Sequence, residues 1–226
     1  MKTIHEDEHL KISVIKHNNQ GEACICFTGV GHALGGIDVQ TEEFKNAYFF
    51  GTIIFVIDKK RSWGNSIDFG LLKCILLPYV SHKKVNLLGN SMGAFIGTIF
   101  SSLLNTDCCI GFVPQYSISE HILPEERRWK QYTLKIKELK YKTINDHFAG
   151  KTKYYFFSGS SETEKLHWSK FKQSQNIHHY IIAGQGHDLA KSLKERKVLY
   201  PLIEACYRSL GVEKILEEGG YDYHKL

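Results

Sequence analysis

Apolar residues along this chain fall into short blocks, and the blocks switch between two rhythms. "LKISVIK" (10–16), "EACICFTG" (22–29), "GTIIFVID" (51–58), "KVNLLGN" (84–90), "CCIGFVP" (108–114), "KYYFFSG" (153–159) and "IHHYIIAG" (177–184) are compact, rich in β-branched and aromatic residues, and bounded by Gly, Pro or Asn. They read as strands, several of them buried on both faces. Between them the apolar positions spread to helical spacing. "VQTEEFKNAYFF" (39–50), "SIDFGLLKCILLPYV" (66–80), "SMGAFIGTIFSSLLN" (91–105) and a long stretch from Asp188 to about Leu210 read as helices, the second entered from a Ser66 cap. Strands that alternate with helices need crossover connections, which predicts an α/β fold: a mainly parallel central sheet with helices on both faces. The segment 115–150, containing "EERRWKQYTLKIKELK", breaks the rhythm and reads as charged and helical, either a small cap or a solvated helix. No repeat or linker divides the 226 residues, so a single domain is expected.

Composition adds limits. With 42% hydrophobic and 12% aromatic residues the chain can fill a sizeable core. No apolar run reaches the length of a membrane span, and "MKTIHEDEHLK" lacks the apolar centre of a signal peptide, so a cytoplasmic location is expected. The net charge of +5 admits an anionic ligand, yet the basic residues form no stripe interleaved with aromatics, which argues against nucleic acid. The six cysteines contain no CxxC pair and no Cys/His set with zinc spacing, so no metal is expected and they read as reduced, mostly buried side chains.

The chemistry gathers at "NLLGNSMGAFIG" (86–97), where a strand runs into a helix through Gly89-Asn90-Ser91-Met92-Gly93. This G-x-S-x-G pattern between strand and helix makes a sharp turn whose serine takes a strained backbone, so its neighbours two residues away must be small. The turn raises the Ser91 hydroxyl above the sheet and aims the Met92 N–H at an oxyanion formed beside it. A glycine-rich turn with an ordinary cap serine is the alternative, and the strand–turn–helix context favours a nucleophile.

A serine nucleophile needs a base and an acid that orients it, in the chain order Ser, acid, His. His187, in "IIAGQGHDLAKSL", follows the last strand on a Gly-rich loop and is the expected base. The acid is expected after "KYYFFSG", where Glu162 and Glu164 compete; Glu162 is preferred as the nearer to the strand end, with Glu164 placed in the first helical turn. Asp188 reads as a helix N-terminal acid. The second oxyanion donor is expected from "FTGVGHALGG" (27–36), at Val30 or Gly31, with His32 either shaping the site or contacting substrate. In "DKKRSWGNS" (58–66), Arg61 and Trp63 read as a binding pair for an anion and a sugar ring, or as a basic turn with a tryptophan plug. Gln115, at the end of its strand beside Pro114, offers no acid and is assigned to substrate binding.

Together "GNSMG", "FTGVGHALGG" and "GQGHD", in that order, resemble the α/β-hydrolase superfamily over roughly residues 20 to 210. A glutamate acid, where aspartate is commoner, and a His that follows Gly31 depart from the usual pattern. The resemblance implies a serine hydrolase with an acyl-Ser91 intermediate acting on a small-molecule or saccharide ester. "FVPQYS", "SGSSETEKLHW" and "GQGHD" carry a shorter and less specific similarity to bacterial polysaccharide-modifying members of this fold, including capsule O-acetyltransferases, which would imply transfer of the acyl group to a sugar hydroxyl with coenzyme A as the donor. A catalytically silent binding protein is the third expectation.

Overall fold

The structure is a computed structural model that describes residues 1–16, 21–34 and 37–226, with the backbone alone for residues 32–34, 37 and 38. Its strands are β1 (Lys2–Glu6), β2 (Leu10–Lys16), β3 (Glu22–Phe27), β4 (His32–Leu34), β5 (Ile37–Val39), β6 (Thr52–Asp58), β7 (Lys84–Asn90), β8 (Cys108–Phe112), β9 (Lys153–Gly159), β10 (Ile177–Ile182) and β11 (Tyr223–Lys225). Its helices are α1 (Phe69–Val80), α2 (Met92–Ser101), α3 (Lys130–Thr133), α4 (Glu162–Trp168), α5 (Leu189–Glu195), α6 (Leu199–Arg208) and α7 (Val212–Glu218). A nine-stranded sheet has the order β1-β2-β6-β3-β7-β8-β9-β10-β11, and β4 and β5 form a separate hairpin. The strands from β6 to β10 in that order run parallel; β1, β2 and β11 join antiparallel at the edges.

Side-chain alternation builds the two faces of this sheet. Ile25 and Phe27 of β3, with Tyr154 and Phe156 of β9, enter one apolar cluster; Cys24 and Cys26, with Tyr155 and Phe157, enter the other. The first cluster is closed by α1 and α2, through Leu72, Leu76, Phe95 and Phe100, and the second by α5 and α6, through Leu189, Leu193, Leu202 and Ile203. Burial on both faces explains why these strands read as continuous apolar runs. Five cysteines are buried and Cys74 is exposed, all of them free. Among the described residues, no helix is long and apolar enough to cross a membrane.

Three sequence expectations give way. The helix expected over 39–50 does not form: Phe44 stands at φ 60°, outside any right-handed helix, and the segment closes instead through successive turns, Ala47 N to Phe44 O and Phe50 N to Ala47 O. The apolar spacing Phe44, Ala47, Phe50 is therefore that of two linked turns packed on the core. The long C-terminal helix is broken at Lys197 (φ 63°) and again past Ser209 (φ 54°), giving α5, α6 and α7. Pro201 sits in the first turn of α6, where a missing N–H leaves no helical bond unmade. The 115–150 segment is mostly turns, with only α3 and a short 3-10 turn at Ile144–His147.

The sheet order reverses between β3 and β7: the chain leaves β3 for β6 on one side and returns to β7 on the other. Loops at the carboxyl ends of strands flanking such a point diverge and open a crevice. Register makes the juxtaposition tight, since Phe27 of β3 lies opposite Gly89 of β7. A Cβ on Gly93 would stand 2.0 Å from the Phe27 carbonyl oxygen, and one on Gly89 would stand 2.3 Å from the Gly93 backbone. Gly93→Ala must therefore push α2 away from β3 and is expected to cost about 3 kcal/mol, the upper end of overpacking penalties. Gly150, with nothing within 4 Å of its virtual Cβ, provides the control: Gly150→Ala should stay within about 0.5 kcal/mol of wild type in the same denaturant titration.

Candidate active site

Ser91 begins at the last bond of β7 and stands at φ 53°, ψ −116°. A non-glycine residue holds such a conformation only when its surroundings over-determine it. Here the Ser91 N–H is bonded to Phe112 O at 2.8 Å, and its carbonyl accepts from Ala94 and Phe95 at the start of α2. The hydroxyl is 3.0 Å from His187 Nε2, although Ser91 as a whole is only 3% exposed.

His187 stands on the loop between β10 and α5. That loop is pinned to the end of β9: Gly184 N donates to Ser160 Oγ, and Ser161 N to Gln185 O. Gly159 permits the approach, since its Cβ would lie 2.3 Å from Gln185 O. The imidazole Nδ1 is 3.0 Å from Glu164 Oε1. Ser91, His187 and Glu164 thus form one hydrogen-bonded line.

Glu162, the acid favoured by sequence, is not part of it. Its side chain is 89% exposed and faces Lys165, whereas that of Glu164 is 1% exposed. The reason is rotational. The helix starts at Glu162 itself, and residues two apart on a helix point about 200° away from each other. With Glu162 in solvent, Glu164 is turned inward. Burial alone would raise the Glu164 carboxyl, but the hydrogen bond from His187 and the charge and hydrogen bond of Arg128 outweigh it and hold it below the ordinary carboxylate range.

The loop after β3 passes beside the serine. Gly29 N is taken by Glu43 Oε1 at 3.3 Å, and Gly29 O by Gln40 Nε2. Burial pushes the Glu43 carboxyl up to about 7 against that single bond. The N–H groups of Val30, Gly31 and Met92 have no acceptor among the described residues. The backbone of His32 opens β4, and its side chain lies outside the described residues.

The loop after β6 does reach this edge, by other means than expected. Arg61 Nε donates to Val30 O at 2.8 Å and its guanidinium lies over the Tyr132 ring, so Arg61 braces the neighbouring loop. Trp63 is 0% exposed and its indole N–H donates to Gln115 Oε1, so it is the plug and has no free ring face for a sugar. Asp58 folds this loop by accepting from Lys60 N, Ser62 N, Ser62 Oγ and Gly64 N. Gln115 stands next to Ser91: its Oε1 is 3.4 Å from Ser91 Oγ, while its buried Nε2 has no partner among the described residues.

Four residues that sequence reasoning passed over complete the surroundings. Trp129 tilts over His187 with ring centroids 5.3 Å apart, and Arg128, Glu126 and His167 form a hydrogen-bonded chain behind Glu164. "EERRW" contained the signal, in charges set beside an aromatic, but spacing alone could not say which arginine turns inward.

No protein-family model and no curated protein sequence matches the chain. Solved structures do. The capsule O-acetyltransferase of Neisseria meningitidis serogroup A superposes with a TM-score of 0.62 at 14% identity, covering 87% of this chain and 92% of that one. Est1E from Butyrivibrio proteoclasticus gives 0.55 at 13% identity over 89% and 97%, and an alpha-beta serine hydrolase homologue from Coxiella burnetii gives 0.52 at 12% over 88% and 94%. Likeness at such identities speaks to architecture, and on that ground, together with its parallel sheet and strand–turn–helix elbow, the chain has the α/β-hydrolase fold.

Proposed function

We propose that the protein is a serine hydrolase that works through an acyl-Ser91 intermediate. The observation that carries this is the continuous line Ser91 Oγ, His187 Nε2, His187 Nδ1, Glu164 Oε1, with 3.0 Å at each hydrogen bond. In this reading Ser91 Oγ attacks the acyl carbonyl carbon while its proton passes to His187 Nε2. Glu164 keeps the Nδ1–H tautomer in place and stabilises the imidazolium without itself taking the proton. The carbonyl oxygen, now an oxyanion, is met by the unspent N–H groups of Met92 and Val30, with Gly31 as the alternative donor. Collapse breaks the ester bond, the leaving alkoxide takes the proton from His187, and water then attacks acyl-Ser91 by the same route. With Ser91 so enclosed and Trp129 over the imidazole, a short acyl group fits this reading best.

One second reading is favoured by the fold, which is like that of a capsule O-acetyltransferase. In that case a coenzyme A thioester would supply the acyl group and a saccharide hydroxyl would accept it. Incubating the protein with acetyl-CoA and measuring acetyl-Ser91 by mass spectrometry distinguishes the two: a long-lived adduct released by added sugars indicates transfer, and rapid release by buffer alone indicates hydrolysis.

Ser91→Ala is expected to abolish both fluorophosphonate labelling and turnover of p-nitrophenyl acetate, with unchanged circular dichroism; residual labelling elsewhere with full turnover would end the nucleophile assignment. His187→Ala should cost about as much as the serine change, because the two act as a unit. For the acid, Glu164→Gln is expected to lower kcat by on the order of 10³–10⁴-fold. Glu162→Gln should leave kcat close to wild type, and the reverse ranking would return the role to Glu162.

A further inference from the structure

Behind the catalytic line lies a second one, built from the segment that precedes α3. Glu164 Oε1 accepts not only from His187 but also from Arg128 Nη1. Arg128 also donates to Glu126: Nε stands 3.0 Å from each carboxylate oxygen, Nη2 donates to Oε2, and the Arg128 backbone N–H donates to Oε1 at 2.9 Å. Glu126 Oε2 also accepts from His167 Nε2 at 2.7 Å. His167 Nδ1 in turn accepts from Tyr116 N, which requires a neutral ring with its proton on Nε2. The side chains of His167 and Glu126 are 1% and 4% exposed. The guanidinium is therefore fixed between two carboxylates, one of them the partner of His187.

Charge alternates along this chain: Glu126 negative, Arg128 positive, Glu164 negative, then the imidazole. Burial raises the Glu126 carboxyl, but the His167 bond and Arg128 bring it down to about 2, so both carboxylates stay ionised near neutrality. Asp188 at the start of α5 is the adjacent acid on the element carrying His187, and Trp129 contributes only its ring. An arginine on the far side of the acid withdraws part of the field that stabilises an imidazolium, and Glu126 gives part of it back.

Resting on the triad reading above, we propose that Arg128, clamped by Glu126, is a positioning residue that holds Glu164 in line with His187 and sets, by its charge, the pH at which His187 can take the Ser91 proton. The experiment is the rate of fluorophosphonate labelling at Ser91 as a function of pH, which needs no natural substrate. Arg128→Gln should move the acidic limb of that profile upward by about one pH unit, because the imidazolium then persists to higher pH. Glu126→Gln should move it downward. Arg128→Lys keeps the charge but loses the fork, so the plateau rate should fall with the limb held near its wild-type position. Displacement of Arg128→Gln and Glu126→Gln in one direction, or loss of rate in Arg128→Gln without displacement of its limb, would overturn the proposal, since a merely structural contact has no means of producing opposite signs. Should a single variant fail to fold, the double variant Glu126→Gln/Arg128→Gln carries the test: a limb near the wild-type position supports the charge account, and a displaced one overturns it. Absence of Ser91 labelling in the wild-type protein would instead overturn the serine-hydrolase reading.

Discussion

The backbone of Ser91 at φ 53° is the constraint around which the rest is arranged. That conformation stores strain, and it persists because β7, β8 and α2 all hold it: Phe112 O takes the Ser91 N–H, α2 begins on its carbonyl, and Gly93 lets the helix press against Phe27 O. One consequence is geometric. The carboxyl end of β3 cannot move away from the elbow, so Val30 and the serine share one side of the crevice. Another is that α2 has every residue buried, wedged into the core by the same contact that raises its first residue toward the site.

The charged line across the β10–α5 loop, α4 and the segment before α3 solves a different problem. Taking isolated charges out of water is costly, and a buried carboxylate is tolerated only when paired and hydrogen-bonded. Glu164 and Glu126 satisfy this through one shared arginine, with two histidines at the ends. The segment from 115 to 150, irregular in its backbone, thus has a defined purpose at one point: it delivers Glu126, Arg128 and Trp129 to a site otherwise made by strand ends.

The parallel core and the elbow were legible because both are written in local pattern: alternation in β3 and β9, and small residues at fixed offsets from Ser91. His187 was legible for the same reason, as a loop residue after the last parallel strand. What local pattern does not carry is rotation and long-range pairing. The choice between Glu162 and Glu164 turned on where the first turn of α4 begins, a difference of one or two residues. Trp63 read equally as plug or platform until Gln115, far along the chain, was found to take its N–H. The edge strands β1 and β11 escaped because an antiparallel edge needs little hydrophobic signal of its own. Phe44 at positive φ, which no propensity foretells, removed the helix expected over 39–50.

The central claim is that the Glu164 carboxylate shares a hydrogen bond with His187 Nδ1. Proton NMR reads this directly in the wild-type protein, as a downfield resonance from the His187 Nδ1–H held by the Glu164 carboxylate. The account predicts that this resonance sharpens when Ser91 carries a phosphonate adduct, persists in Glu162→Gln, and is lost in Glu164→Gln and His187→Ala. Its survival in folded Glu164→Gln, or its loss in Glu162→Gln, would contradict the account.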